Sequence, residues 1–159
     1  MKTEMIKIDR DDMDLREMKR AGEILKKGGL VAFPTETVYG LGGDALDETA
    51  AHRIYEAKGR PSDNPLIIHI ADMEHLDKIV EEVPEAAHKL AEAFWPGPLT
   101  MIMNKSDAVP HGTTGGLDTV AIRMPSDPIA LELIIIHLQN RQEAAIVMRR
   151  VTFIQLVSH

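Results

Sequence analysis

Residues 30–43 decide the fold, and they read LVAFPTETVYGLGG. Four apolar residues followed by Pro34 are typical of a short buried strand. Threonine and glycine then recur through residues 35–43, which predicts a loop. Ligands of α/β folds usually bind in loops at strand ends, where hydroxyl and backbone N–H groups can hold a small polar substrate. The loop is therefore a candidate binding site, although an ordinary strand-to-helix turn has the same composition.

Helical and strand-like patterns alternate around this stretch. Helices are predicted over residues 11–27, 48–58, 73–80 and 84–94, with a short helix opening at Pro125, and strands over residues 5–8, 66–70, 99–103 and 120–123. A second loop, rich in glycine and threonine, is predicted over residues 111–119. The alternation predicts the α/β class, or a mixed α+β arrangement, with helices packed on a sheet.

Composition narrows the class of protein. The 159 residues are 44% hydrophobic and 27% charged, which fits one globular domain with a sizeable core. The absence of cysteine excludes disulfides and thiolate metal sites. The net charge of −7 argues against binding nucleic acid through total charge. No signal peptide and no apolar run of roughly 18 to 20 residues is present, so we expect a cytoplasmic protein without a membrane span.

A second candidate site is residues 58–66, which read KGRPSDNPL. Lys58 and Arg60 flank a glycine at the predicted end of a helix, and such a pair of cations could clamp a triphosphate. The alternative is local, because Lys58 also complements the negative end of the helix dipole and Gly59 suits a helix C-cap.

Two further side chains lie in predicted strands. His69 lies in an apolar strand, where a histidine is more often a core residue than a ligand. Arg123 ends a strand and could bind a carboxylate, or form a surface ion pair. The chain has no P-loop, dinucleotide-binding, zincin or nucleophile-elbow motif. If it binds ATP, it does so without a P-loop.

Four motifs in series resemble those of the YrdC-like family, the threonylcarbamoyl-AMP synthases. They are residues 33–42, residues 58–66 with His69, residues 94–100 and residues 120–125, within a resemblance that covers roughly residues 15–133. The resemblance implies a twisted open sheet with helices packed on it and a concave, locally basic cleft.

The resemblance also implies a nucleotidyltransferase reaction. L-Threonine, bicarbonate and ATP would give threonylcarbamoyl-AMP and pyrophosphate, and a separate transferase would move the threonylcarbamoyl group to the adenosine beside a tRNA anticodon. ATP would be a substrate, and Mg²⁺ would accompany its triphosphate, with no protein ligand for the metal evident. The product is a mixed anhydride, so the site must exclude water.

Roles for single residues follow from the resemblance as well. The catalytic residues would be Lys58 and Arg60. Both would also bind ATP, together with Asn64 and Thr119. The threonine site would consist of Thr37, His69 and Arg123, with Arg123 on the carboxylate and Thr35 as a secondary candidate.

The C-terminal part departs from the family pattern. No glycine or proline follows Pro128, and residues 134–159 carry a net positive charge. The Ser-x-Asn loop that closes over the nucleotide in the family is absent from this tail. We therefore expect an incomplete YrdC-like domain over residues 1–133, an atypical tail over residues 134–159 and an open ATP site.

Three alternatives remain at this point. The chain could be a module that binds double-stranded RNA or tRNA through phosphates in the same cleft. It could be a paralogue acting on another carbamoyl or carboxyl substrate. It could also be an inactive fragment of the family.

Overall fold

The computed structural model describes residues 3–59, 65–140 and 146–150. The helices are α1 (Leu15–Lys26), α2 (Glu48–Lys58), α3 (Leu76–Ile79), α4 (Glu85–Phe94), α5 (His111–Thr114) and α6 (Pro128–Asn140). The strands are β1 (Val31–Phe33), β2 (Gly40–Asp44), β3 (Ile67–His69), β4 (Thr100–Asn104), β5 (Thr119–Arg123) and β6 (Ile146–Arg150). A 3-10 turn, Met73–His75, leads into α3. No helix among these residues is both long enough and apolar enough to cross a membrane.

The strands form one open six-stranded sheet in the order β1-β2-β6-β3-β5-β4. Only the β3–β5 pair is parallel among the pairings described, and the others are antiparallel. Together with the helices packed on it, this mixed sheet confirms the predicted fold class.

Local sequence signals place the ends of the first two long helices. Asp14 and Asp47 are the N-caps of α1 and α2, and each carboxylate accepts a hydrogen bond from the backbone N–H two residues later at 2.9 Å. Gly59 ends α2 in the left-handed conformation, with φ of 59°. The predicted start of α1 at residue 11 or 12 was early, because Asp14 is the residue whose side chain caps the helix.

Four local predictions were wrong. The helix predicted to be short and to open at Pro125 is the 13-residue α6, which begins at Pro128. Residues 5–8 form no strand. Part of the second predicted loop is helical, since α5 lies within it. The first predicted loop covers residues 35–43, but its last four residues, 40–43, belong to β2. Close packing explains the glycine at position 43, because a Cβ there would lie 3.1 Å from the Cβ of Ala50 and 3.2 Å from the Cδ2 of Leu30.

The two faces of the sheet bury two separate cores. Ile68 of β3 and Ile122 of β5 pack with α2, α3 and α4 in the first core. The second core joins α1 and α6 to Phe33 of β1 and Ile146 of β6. Ile146 is the register partner of His69 and therefore lies on the face opposite Ile68. Helices α1 and α6 thus cover that face at its β1–β2–β6 end.

The part of this second face that belongs to β3, β5 and β4 is here called the site face. Strand register places Ile67 and His69 of β3, Ala121 and Arg123 of β5, and Ile102 of β4 on it. Ile102 is 70% exposed, and Ile67 and Ala121 are half-buried. The site face is therefore accessible at these positions, and it includes three of the predicted site residues, His69, Thr119 and Arg123.

The predicted domain boundary after residue 133 falls inside α6. Leu133 and Ile134 flank this boundary, and both are buried in the second core. Strand β6, also from the predicted tail, pairs with β2 on one side and β3 on the other. The division into a domain and a tail stays a prediction. The other residues of the predicted tail, 141–145 and 151–159, lie outside the described residues.

Candidate active site

His69 and Arg123 lie side by side at the ends of the two parallel strands. They are register partners on β3 and β5, and both are on the site face. The carboxyl ends of parallel strands are where α/β folds usually bind ligands. Thr119 lies on the same face of β5, about 13 Å along the strand from Arg123. The structure thus aligns three predicted site residues on one surface, two of them adjacent.

The His69 ring is fully buried and has one nitrogen without a partner. Its Nδ1 lies 3.1 Å from the carbonyl oxygen of Ile67. A carbonyl oxygen can only accept, so Nδ1 carries the proton and donates it. Burial, reinforced by the positive charge of Arg123, lowers the pKa of His69 to about 4. The ring is therefore neutral at pH 7, and its buried Nε2 is an acceptor with no hydrogen-bond partner among the described residues.

Arg123 is paired with a carboxylate of the protein itself. Its Nε donates to the carbonyl oxygen of Gly97 at 3.3 Å, and its Nη2 donates to Glu36. The second oxygen of Glu36 accepts from the backbone N–H of Ser126 at 3.3 Å. The side chains of Arg123 and Glu36 are 9% and 20% exposed, so the pair is largely shielded from water.

The environment of Glu36 keeps its carboxylate ionised. Partial burial raises its pKa, but the hydrogen bond and positive charge of Arg123, together with backbone N–H donors, outweigh burial and leave the pKa below its usual value. The sequence prediction did not include Glu36 among the site residues. Its position between Thr35 and Thr37, two candidate ligands, was the signal that could have identified it.

The two threonines of this loop differ in availability. Thr35 is buried, and its hydroxyl accepts from the backbone N–H groups of Thr37 and Val38 at 3.2 Å and donates to the Val38 carbonyl oxygen at 2.7 Å. This hydroxyl shapes the turn. Thr37 is exposed, and its hydroxyl oxygen lies 3.1 Å from that of Thr35. Thr37 is the better placed of the two to contact a ligand.

Of the residues in the predicted phosphate clamp, the structure describes only Lys58. Lys58 is half-buried at the last position of α2, immediately before the Gly59 cap. Arg60 and Asn64 lie outside the described residues. The joint action of these cations on a triphosphate stays a prediction. No group of three or more His, Asp or Glu side chains in the described part of the chain is placed to hold a metal ion.

The chain is similar in sequence to a family of known proteins. The Sua5/YciO/YrdC family model, described as telomere recombination, matches residues 23–147. The threonylcarbamoyl-AMP synthase of Pyrococcus abyssi is 58% identical over 136 residues, which are 86% of this chain and 39% of that relative. The enzyme of the same name from Bacillus subtilis is 54% identical over 119 residues, 74% of this chain and 34% of the relative.

Solved structures show the same fold. The crystal structure of P. abyssi Sua5 complexed with L-threonine matches with a TM-score of 0.82 and 54% identity over 87% of this chain and 39% of that one. The crystal structure of E. coli YciO matches with a TM-score of 0.76 and 26% identity, over 91% of this chain and 68% of that one. The chain spans less than half the length of the P. abyssi and B. subtilis relatives.

Proposed function

Since the chain belongs to the Sua5/YciO/YrdC family, we propose that it carries the L-threonine site of a threonylcarbamoyl-AMP synthase. In that reaction, L-threonine, bicarbonate and ATP form threonylcarbamoyl-AMP and pyrophosphate. The observation that carries the proposal is the adjacent placement of His69 and Arg123 at the ends of the parallel strands. The relative whose structure was solved with L-threonine shares this fold at 54% identity.

Each group of the pair matches a group of threonine. A guanidinium can bind the α-carboxylate through two parallel N–H donors. Arg123, at the end of β5, would supply this guanidinium. The Nε2 of neutral His69 is an acceptor, so it suits a donor such as the threonine hydroxyl. Thr37, exposed at the edge of the loop, would complete the site. A buried acceptor without a partner is costly, and a bound hydroxyl would remove that cost.

The nucleotide would bind beside the threonine. Lys58 and Arg60 would neutralise the charge that develops on the departing pyrophosphate, while Asn64 and Thr119 would contact ATP. Mg²⁺ would be held mainly by the triphosphate itself, as is usual for this ion. Positioning of reactants and electrostatic stabilisation would then be the contribution of the protein.

The product has a demanding chemistry. Threonylcarbamoyl-AMP is a mixed anhydride that water can hydrolyse, so the cleft must shield it until it is passed on. A separate transferase would use it to modify the adenosine beside a tRNA anticodon. The protein would act in the cytoplasm, where ATP and tRNA are available.

Calorimetry of the 159-residue chain tests the threonine site directly. L-Threonine is expected to bind, and L-valine, which has a similar shape without the hydroxyl, should bind at least about tenfold more weakly because His69 Nε2 would stay unpaired. A His69→Leu variant should lose this preference, whereas His52→Leu, a change at an exposed helix position, should keep it. Equal affinity of the wild type for the two amino acids would exclude a site that recognises threonine.

A second measurement separates synthesis from binding alone. Threonine-dependent release of pyrophosphate from ATP is expected if the nucleotide site is complete in this chain. Threonine binding without pyrophosphate release would leave the threonine site intact and contradict synthesis by this chain. Steep salt-dependent binding of tRNA that ATP does not affect would instead favour an RNA-binding module.

A further inference from the structure

The Glu36–Arg123 ion pair brings a negative charge to the place where an amino acid is expected to bind. Glu36 belongs to the loop between β1 and β2, and Arg123 ends β5, so the contact joins residues 87 positions apart. The backbone N–H of Ser126 holds the second Glu36 oxygen at 3.3 Å and fixes the carboxylate from the other side. These bonds hold the carboxylate beside the guanidinium in a defined orientation.

The charges of this cluster balance. Arg123 carries one positive charge, Glu36 carries one negative charge, and His69 is neutral at pH 7. An α-amino acid at neutral pH is a zwitterion that also carries one charge of each sign. A carboxylate has about four acceptor positions, so Glu36 can accept further hydrogen bonds besides those from Arg123 and Ser126. Its side chain is 20% exposed, so it is not sealed off from a ligand in the cleft.

We propose that Glu36 is a specificity-determining residue that binds the α-ammonium group of the amino acid while Arg123 binds its carboxylate. The inference rests on the proposed function, since it assumes that Arg123 meets the threonine carboxylate. It adds a reason for the paired charges. A ligand with only a carboxylate would bring a second negative charge next to Glu36 and would be repelled, whereas a zwitterion offers a partner to both groups.

The test compares L-threonine with 3-hydroxybutyrate, which keeps the carboxylate and hydroxyl but lacks the amino group. Calorimetry on the wild-type chain should show that threonine binds at least about tenfold more tightly, the effect of one charge-assisted hydrogen bond. Glu36→Gln, which is nearly isosteric, should weaken threonine binding by about tenfold or more. The same variant should leave 3-hydroxybutyrate binding unchanged or tighter, because the site becomes net positive.

Controls separate this role from a merely structural one. Glu85→Gln removes a surface carboxylate of α4 that pairs with Lys89, and it should change neither affinity. Glu36→Asp keeps the charge, so the ratio of the two affinities should stay near that of the wild type even if both ligands bind more weakly.

Distinct outcomes would overturn the proposal. Equal wild-type affinities for the two ligands would do so without any variant. An equal loss for both ligands in Glu36→Gln would show that Glu36 only orients Arg123, and tighter threonine binding would show that it competes with the substrate carboxylate. If the wild type binds no threonine at all, the proposed function fails together with this inference. If threonine binds with the preference unchanged by Glu36→Gln, only the inference fails.

Discussion

Replacing Arg123 by methionine should destabilise the protein, and a second substitution should partly restore its stability. The Arg123 side chain is 9% exposed and its partner Glu36 is 20% exposed. Removing one partner of a fully buried ion pair costs about 3–5 kcal/mol, because the other charge is left uncompensated. Since Glu36 keeps some contact with water, we expect a loss of about 2 kcal/mol in the free energy of unfolding at pH 7.

The double variant Arg123→Met, Glu36→Gln should be more stable than Arg123→Met alone by about 1 kcal/mol. A neutral amide is less costly to bury than an unpaired carboxylate, although it still needs hydrogen bonds. The backbone N–H of Ser126 remains available to the amide oxygen. The two substitutions are therefore expected to be strongly non-additive, as residues in direct contact usually are.

The effect of Arg123→Met should also depend on pH. In the wild type the pKa of Glu36 is below its usual value, so the pair contributes full stability above the unfolded-state pKa of about 4.3, and this is lost as pH falls through the lower folded-state pKa. In the variant, the hydrogen bond and the positive charge of Arg123 no longer lower the pKa of Glu36, so that pKa is higher than in the wild type. The cost of the substitution should therefore shrink as pH falls below about 4.

Urea denaturation of the wild type, the two single variants and the double variant measures these terms. The coupling free energy from the cycle is expected to be at least about 1 kcal/mol at pH 7 and smaller in acid. A coupling below about 0.5 kcal/mol would show that Glu36 and Arg123 do not interact strongly in solution. A double variant less stable than Arg123→Met would contradict the reasoning about the unpaired carboxylate.

Two further predictions concern stability elsewhere. Ile134→Ala should lower the free energy of unfolding by about 2–5 kcal/mol, because Ile134 is fully buried. Ile135→Ala, at the neighbouring residue that is 38% exposed, should lower it by less than about 1 kcal/mol. Equal effects of the two variants in urea denaturation would mean that α6 does not pack as described. Burial lowers the pKa of His69 to about 4, from about 6.5 in the unfolded chain. As pH falls, the unfolded state therefore binds the proton first. The free energy of unfolding should drop by up to about 3 kcal/mol between these two pH values. His69→Gln should flatten this part of the pH profile, and an unchanged profile would show that another group is responsible.

The elements that the sequence predicted well depend on local interactions. Helix α2 begins after the Asp47 cap and ends at Gly59, as its capping residues indicated. Strand β2 was missed because glycine-rich segments favour loops in isolation, and only packing against Ala50 and Leu30 shows why glycine is needed at position 43. The open sheet with packed helices followed from the alternation of patterns and from the family resemblance.

The candidate site shows the same division. Arg123 and His69 were identified from the motifs around them, but nothing local indicated that they would be register partners. Glu36 was overlooked because its partner lies 87 positions away, and no spacing rule links a loop residue to the end of a distant strand. Residues in the predicted site that lie outside the described part of the chain, Arg60 and Asn64, remain predictions.

The sequence by itself determined the class of fold, the ends of α2 and the chemical types available to the site, because helix caps, apolar periodicity and motifs act over a few neighbouring residues. The tertiary structure decided which strands became neighbours, with β6 entering between β2 and β3. It also placed the Glu36 carboxylate on Arg123 and left His69 Nε2 without a partner. These are long-range outcomes, set by strand register and by the need to cover two faces of one sheet, and they are what turn scattered polar residues into a candidate site for a zwitterion.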